Sequence, residues 1–224
     1  MKGVIMRFSL KELSEKCFLT LAAATLILTF GSSHFSTGVV FAQSGPAQKS
    51  GAEVAGETPA HKYFTDVQLV NQNGEKMRLY SDLLQGKVVI INSFFATCQG
   101  VCLPLNRNLQ KVQQALGERI GKDVNIISIS VDPVLDTPAS LKEYAKKLDS
   151  KPGWYFLTGD KQNVDFALKK IGQFVDNKQD HLNIFIIGNE RTGLWKKAFG
   201  LANIDELVKV VESVINDKPV TTAQ

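Results

Sequence analysis

KVVIINSFFATCQGVC, residues 87–102, decides the fold. Lys87 to Phe95 is a near-continuous run of apolar and β-branched residues, the pattern of a strand buried on both faces. From Cys102 onward the apolar positions are Leu105, Leu109, Val112, Leu116 and Ile120, three or four apart, which predicts an amphipathic helix beginning at the second cysteine. Cys98 and Cys102 therefore stand where a strand hands over to a helix. The free N–H groups and dipole of a helix start favour negative charge, so at least one thiol is expected to have a depressed pKa and to be partly thiolate. Cysteines four apart on a helix share a face, with Cβ atoms about 5–6 Å apart. Such a pair can close a disulfide or hold one metal ion. The plainer alternative is two small buried apolar side chains. Against it, the third cysteine, Cys17, lies in the N-terminal segment, so the rest of the chain puts both of its thiols at one helix start.

On the N-terminal side of this stretch, Phe64–Val70 and Lys76–Tyr80 read as a hairpin turned by Asn71-Gln72-Asn73-Gly74. On the C-terminal side, Val124–Val131 is a second β-rich run, broken by Asp132-Pro133. Thr137-Pro138 then opens a helix, threonine as cap and proline at its first position, with Leu141, Tyr144, Ala145 and Leu148 on its apolar face. Trp154–Leu157 is a short strand, and Gly159-Asp160 turns into a helix carrying Val164, Ala167, Leu168 and Ile171. Leu182–Ile187 and Leu194–Phe199 form a hairpin around residues 188–193, and Leu207, Val208, Val211, Val214 and Ile215 mark a last helix. No internal repeat interrupts this order. Strands alternating with helices, followed by a hairpin and a helix, predict an α/β domain with a central mixed sheet and helices on both faces. With a cysteine pair at the first strand-to-helix corner, the expected fold is thioredoxin-like, over residues 61–218.

Residues 1–42 read as a targeting segment. Lys2, Arg7, Lys11 and Lys16 precede an apolar run from Cys17 to Phe30, and Val40-Phe41-Ala42 offers small residues where a signal peptidase cuts. The expectation is export, with either cleavage after Ala42 or retention of the segment as a membrane anchor. In a bacterial cell this is the periplasm, where disulfides persist. Residues 43–60, rich in Ala, Gly, Ser, Glu and Pro, read as a flexible tether. Half of the formal charge of +4 belongs to residues 1–42, and the balance of the chain gives no reason to expect a nucleic-acid partner. The lysine pairs at 146–147, 169–170 and 196–197 read as solvated faces or helix ends.

A third residue joins the cysteines. Thioredoxin-like oxidoreductases place a cis-proline just before the strand that faces the thiols, yet this chain has no proline between Gly153 and Lys218. His181, at the mouth of the Leu182–Ile187 strand, occupies that slot. Two thiolates and an imidazole form a compact soft donor set suited to copper; zinc would usually want a fourth ligand. The bland reading of His181 is a loop histidine that is merely solvated or hydrogen-bonded. His34 and His61 lie in the targeting segment and beside the tether and are assigned no role. Asp132 and Asp136, close to prolines in a strand-to-helix loop, are expected to make turns and caps.

Phe95-Ala96-Thr97-Cys98-x-x-x-Cys102, then Val131-Asp132-Pro133-x-x-Asp136-Thr137-Pro138, then Trp154-x-Phe156-Leu157-Thr158-Gly159, then Asp180-His181, resembles the Sco/SenC family in order and spacing, over about residues 64–215. Two departures are visible: Gln99 follows the first cysteine, with the nearby proline at Pro104, and Leu182 follows the histidine where a serine is usual. The resemblance implies a chaperone that delivers copper to the CuA site of a respiratory cytochrome c oxidase, with Cys98, Cys102 and His181 as copper ligands. It also implies redox-active cysteines, a border role for the Asp132–Asp136 loop, and N-terminal tethering to a membrane. The implied partners are the oxidase subunit carrying CuA, other copper chaperones and thiol reductases. The same cysteines would serve an enzyme, a thiol-disulfide reductase in which Cys98 attacks and Cys102 resolves. A thiol peroxidase fits less well, because the proline-threonine-cysteine run of peroxiredoxins is absent.

Overall fold

The computed structural model describes residues 58–219. The targeting segment, its cleavage position, Cys17, His34 and tether residues 43–57 lie outside the described residues. Helix α1, Pro59–Phe64, opens the described chain, and Thr58 caps it by accepting from the His61 N–H at 3.1 Å. The helix thus takes the last two positions assigned to the tether and the first of the predicted strand. β1 is Gln68–Asn71 and β2 is Lys76–Arg78, an antiparallel pair. The Asn71 side chain accepts from the Asn73 and Glu75 N–H groups and so builds the predicted turn.

Leu79 and Tyr80, expected to extend β2, instead begin a π-helix, Leu79–Leu84. Its Leu79, Tyr80, Leu83 and Leu84 are buried, and the Leu79 and Tyr80 N–H groups reach Val67 and Thr65 carbonyls. The apolar residues read as strand thus pack as a helical plug.

β3 (Val88–Phe94), β4 (Val124–Ser130) and β5 (Trp154–Thr158) run parallel, with β3 and β4 buried throughout. β6 (Ile184–Asn189) lies antiparallel on β3, and β7 (Leu194–Phe199) antiparallel on β6. The seven strands form one mixed sheet in the order β2-β1-β5-β4-β3-β6-β7.

The period-2 alternation of strand side chains sorts the core into two layers. Val88 and Ile90 face one side, with helices α2 (Cys102–Leu116), α3 (Pro138–Lys147) and α5 (Ile204–Ile215). Val89 and Ile91 face the other, with α1, the π-helix and α4 (Lys161–Ile171). The expected α/β thioredoxin-like architecture, a mixed sheet covered on both faces, is what the chain adopts. No helix among the described residues is long and apolar enough to cross a membrane.

Two features position the site. A buried chain of polar side chains crosses the first layer: Trp154 donates to Ser128 Oγ (3.0 Å), Ser128 donates to Asn92 Oδ1 (2.7 Å), Asn92 donates to Asn106 Oδ1 (2.9 Å), and Asn106 donates to the Tyr144 hydroxyl (3.0 Å). Asn106 lies one turn beyond Cys102, so this chain fixes the start of α2 against β3. The sheet is also polar in its layout. The last residues of β3, β4 and β7 and the first residue of β6 share one end. Thr58, where the described chain begins, contacts Tyr80, which donates to Glu190 just after β6, at the opposite end.

Candidate metal centre

After Phe94 the chain turns sharply, the Cys98 N–H bonding to the Phe95 carbonyl at 3.2 Å, and Cys98 is left half-buried on the loop. Cys102 is the first residue of α2 and is 1% exposed. Its sulfur lies against the sheet because Cys102 opens the apolar stripe that continues through Leu105, Leu109, Val112 and Leu116. On the other side, a 3-10 turn at Lys178–Asp180, capped by the Asn177 side chain, delivers His181 just before β6.

His181 is buried, and its Nε2 lies 2.9 Å from Cys102 Sγ and 4.0 Å from Cys98 Sγ. The three donor atoms all lie within 4.8 Å of one another. Its burial rules out a merely solvated loop histidine; the contact with Cys102 Sγ fits either a hydrogen-bonded imidazole or a shared donor site. Phe95, also buried, meets the imidazole edge-on at 5.7 Å between centroids.

Two ties hold the loops together. The buried Asp136 carboxylate accepts from the Ala96 N–H at 3.1 Å and from the Ser130 hydroxyl at 2.5 Å, joining the loop after β4 to the cysteine loop. Lys178 donates to Asp132 at 2.7 Å and lies over the Phe95 ring at 5.3 Å, joining the same loop to the turn that carries His181. Thr137 does cap α3, as expected, but Asp136 does more than turn the chain.

Burial sets the protonation states. It pushes the Cys102 thiol well above its ordinary range, and its contact with Cys98 adds to the effect. Cys102 is therefore not the thiol that a helix start would depress: it sits in the apolar layer, where desolvation disfavours the thiolate. Burial likewise holds the His181 imidazole below its usual value, so the ring is neutral near pH 7, with a backbone group of Leu182 opposing. The Asp136 carboxyl is raised by burial, against the Ser130 and Ala96 hydrogen bonds. Both cysteines are free thiols in this structure.

The structure thus brings together Cys98, Cys102 and His181. His61 lies elsewhere, stacked on Tyr80 and 3.2 Å from Asp66. Sequence reasoning missed the tying parts of Ser130 and Lys178, because neither belongs to a pattern: each matters only through a partner across the fold.

Fold and site together define a class, a thioredoxin-like domain in which two thiols and an imidazole converge at the end of the sheet where a redox pair would stand. The SCO1/SenC family pattern matches residues 55–216, and the chain belongs to that family. The SCO1 protein homolog of Bacillus subtilis (strain 168) is 38% identical over 109 residues, 47% of this chain and 54% of the relative. The chain spans about half the length of the curated relatives it matches. Among solved structures, BsSco, described as having a disulfide switch and as a member of the Sco family of cytochrome c oxidase assembly proteins, is 30% identical with a TM-score of 0.56, over 67% of this chain and 92% of BsSco. Yeast Sco1 with copper bound is 27% identical with a TM-score of 0.57, over 70% of this chain and 95% of the yeast protein.

Proposed function

We propose that the protein is an exported copper chaperone that takes copper at Cys98, Cys102 and His181 and passes it to the CuA-bearing subunit of a respiratory cytochrome c oxidase. The observation that carries this reading is the convergence of the three soft donors within 4.8 Å, from the junction of β3 with α2 and from the turn before β6. The donor set fits copper, which thiolate and imidazole ligands favour. Burial disfavours the imidazolium form of His181, and in the tautomer protonated on Nδ1 the Nε2 lone pair would face the thiols. The thiols must give up their protons, and for the buried Cys102 that loss is driven by the bond to the metal. The membership of BsSco in an oxidase-assembly family and the copper in yeast Sco1 support the assignment.

A partner would meet the domain at this end. Val134, Leu135, Leu182, Phe199 and Leu201 are the exposed large apolar side chains of the described residues. Val134 and Leu135 lie on the loop after β4, Leu182 follows His181, and Phe199 and Leu201 lie at and just past the end of β7, all at the end of the sheet that carries the candidate site. Exposed apolar surface gathered around one site marks a contact face. The targeting segment supports an exported location, released after Ala42 or held at the membrane.

The disulfide switch described for BsSco favours a second reading, thiol-disulfide reduction. Here the Cys98 thiolate attacks a partner disulfide and expels one partner thiol. Cys102 then loses its proton, attacks Cys98 and releases the second thiol, leaving the pair oxidised. His181 separates the two. Copper titration of His181→Ala in reducing, oxygen-free buffer should show affinity reduced by more than the roughly 10–100-fold that loss of an outer-shell partner costs. A parallel redox titration should show the Cys98–Cys102 disulfide still forming. Copper binding equal to that of the parent would remove His181 from the ligand set and put the reductase first.

A further inference from the structure

On the opposite layer of the sheet from α2, a cavity of about 290 Å³ opens between α1, the end of α4 and the β6–β7 hairpin. Its lining includes Tyr63, Phe64 and Trp195, with Lys169, Lys170 and Lys197 among its cations, and it contains no acidic residue. The floor exists because Gly188 pairs with Trp195 across the hairpin: a Cβ at Gly188 would overlap the indole, which instead lies flat over the strand. Phe64 tilts against the indole at 5.7 Å, and Tyr63 packs edge-on to Phe64.

The lysines need weighing. Lys169 and Lys170 occupy the last turn of α4, where cations complement the helix dipole. That accounts for their charge but not for their pose. Lys170 Nζ lies over the Tyr63 ring at 4.7 Å and the Phe166 ring at 5.2 Å, and Lys169 Nζ lies over Phe174 at 4.4 Å. Neither pairs with a carboxylate among the described residues. An apolar, aromatic floor beside the Lys169 and Lys170 cations asks for a ligand with an apolar body and one anionic head. The volume falls at the lower edge of small-molecule sites, about 300–1,000 Å³, so it admits an acyl tail or a single ring rather than a whole lipid.

We infer that this cavity binds an amphiphilic anion, its tail on Trp195, Phe64 and Tyr63 and its carboxylate or phosphate at Lys169 and Lys170. This chemistry could come from a free medium-chain carboxylate or from an anionic membrane lipid. It is independent of the metal centre, which lies on the other layer.

The test uses the full chain and its own fluorescence. The protein has two tryptophans, and Trp154 is fully buried in the other layer, so a ligand-dependent change in emission reports Trp195. Decanoate and dihexanoyl phosphatidylglycerol are titrated beside their neutral counterparts, decanol and dihexanoyl phosphatidylcholine. At least one anion should give a saturable change, about tenfold or more tighter than its neutral counterpart, and the anion that does so identifies the source. In Lys169→Gln/Lys170→Gln the anion should bind about tenfold more weakly, with the far-ultraviolet circular dichroism unchanged. No saturable response, equal binding of neutral and anionic probes, or parental affinity in the double variant would each overturn the inference.

Discussion

At the scale of single residues the two thiols of the site are unequal, and the inequality can be measured. Cys98 is half-buried on a loop, whereas Cys102 is 1% exposed and its thiol is pushed up by burial. After reduction, iodoacetamide near pH 7.5 should therefore alkylate Cys98 at least about tenfold faster than Cys102, as mass spectrometry of the two peptides would record. Equal rates would mean that burial does not govern the pair. Asp136 offers a second measurement. Replacing it with Ala leaves the Ala96 N–H and the Ser130 hydroxyl without their acceptor, and should cost about 1–3 kcal/mol in urea unfolding of the metal-free protein. Cys98 should alkylate faster still in that variant, because the loop that holds it is released. The three donor residues were legible because each carries its own signal: a spacing of four at a helix start for the cysteines, and a histidine where a proline was due. The ties through Ser130 and Lys178 were not, since a serine ending a strand or a lysine in a loop looks the same with or without a partner, whereas for Asp136 the resemblance had implied a place beside the site.

At the scale of elements, the strand and helix periods located β3 to β7 and α2 to α5 to within a few residues. The misses cluster before β3, where α1 and the π-helix stand. There the signal was ambiguous, because Leu79-Tyr80 continues the alternation of β2 while Leu83-Leu84 completes a helical face. The choice is made by tertiary contact, the Leu79 and Tyr80 N–H groups finding carbonyls of the segment after α1. A local device assists. Asp82 accepts from the Arg78 backbone N–H at 2.7 Å and from its guanidinium at 2.8 and 3.1 Å, and these bonds hold the Asp82 carboxyl at about 2. A carboxyl depressed in the folded state adds stability that is complete above the ordinary carboxylate range near 4 and is lost as the pH falls through about 2. The pair is solvent-exposed, so the gain is small and salt weakens it. Asp82→Asn should flatten the fall in melting temperature between about pH 4 and pH 2 relative to the parent, and an identical acid limb in both proteins would remove Asp82 from the account.

At the scale of the whole molecule, the two apolar layers are joined through one sheet, and the polar chain from Trp154 to Tyr144 pins β5, β4, β3, α2 and α3 to a single arrangement. Asn92 is its hinge, accepting from Ser128 and donating to Asn106 while fully buried. Asn92→Ala strands both neighbours and should cost about 2–4 kcal/mol, read as a lower urea midpoint with unchanged slope. A change in slope would mean that the layers have begun to part. This register of polar partners could not be read from sequence, because Asn92 and Asn106 interrupt their patterns without announcing each other. The layout of the ends has its own consequence. The seven residues of β3 span about 20 Å, and the thiols stand at one end of the sheet while the first described residues stand at the other. The domain is laid out like a crane, with the thiols as the hook at the far end of the jib from the first described residues. The rigid part of that reach is the length of the sheet, so a partner that docks at the thiol end leaves the N-terminal end of the domain clear.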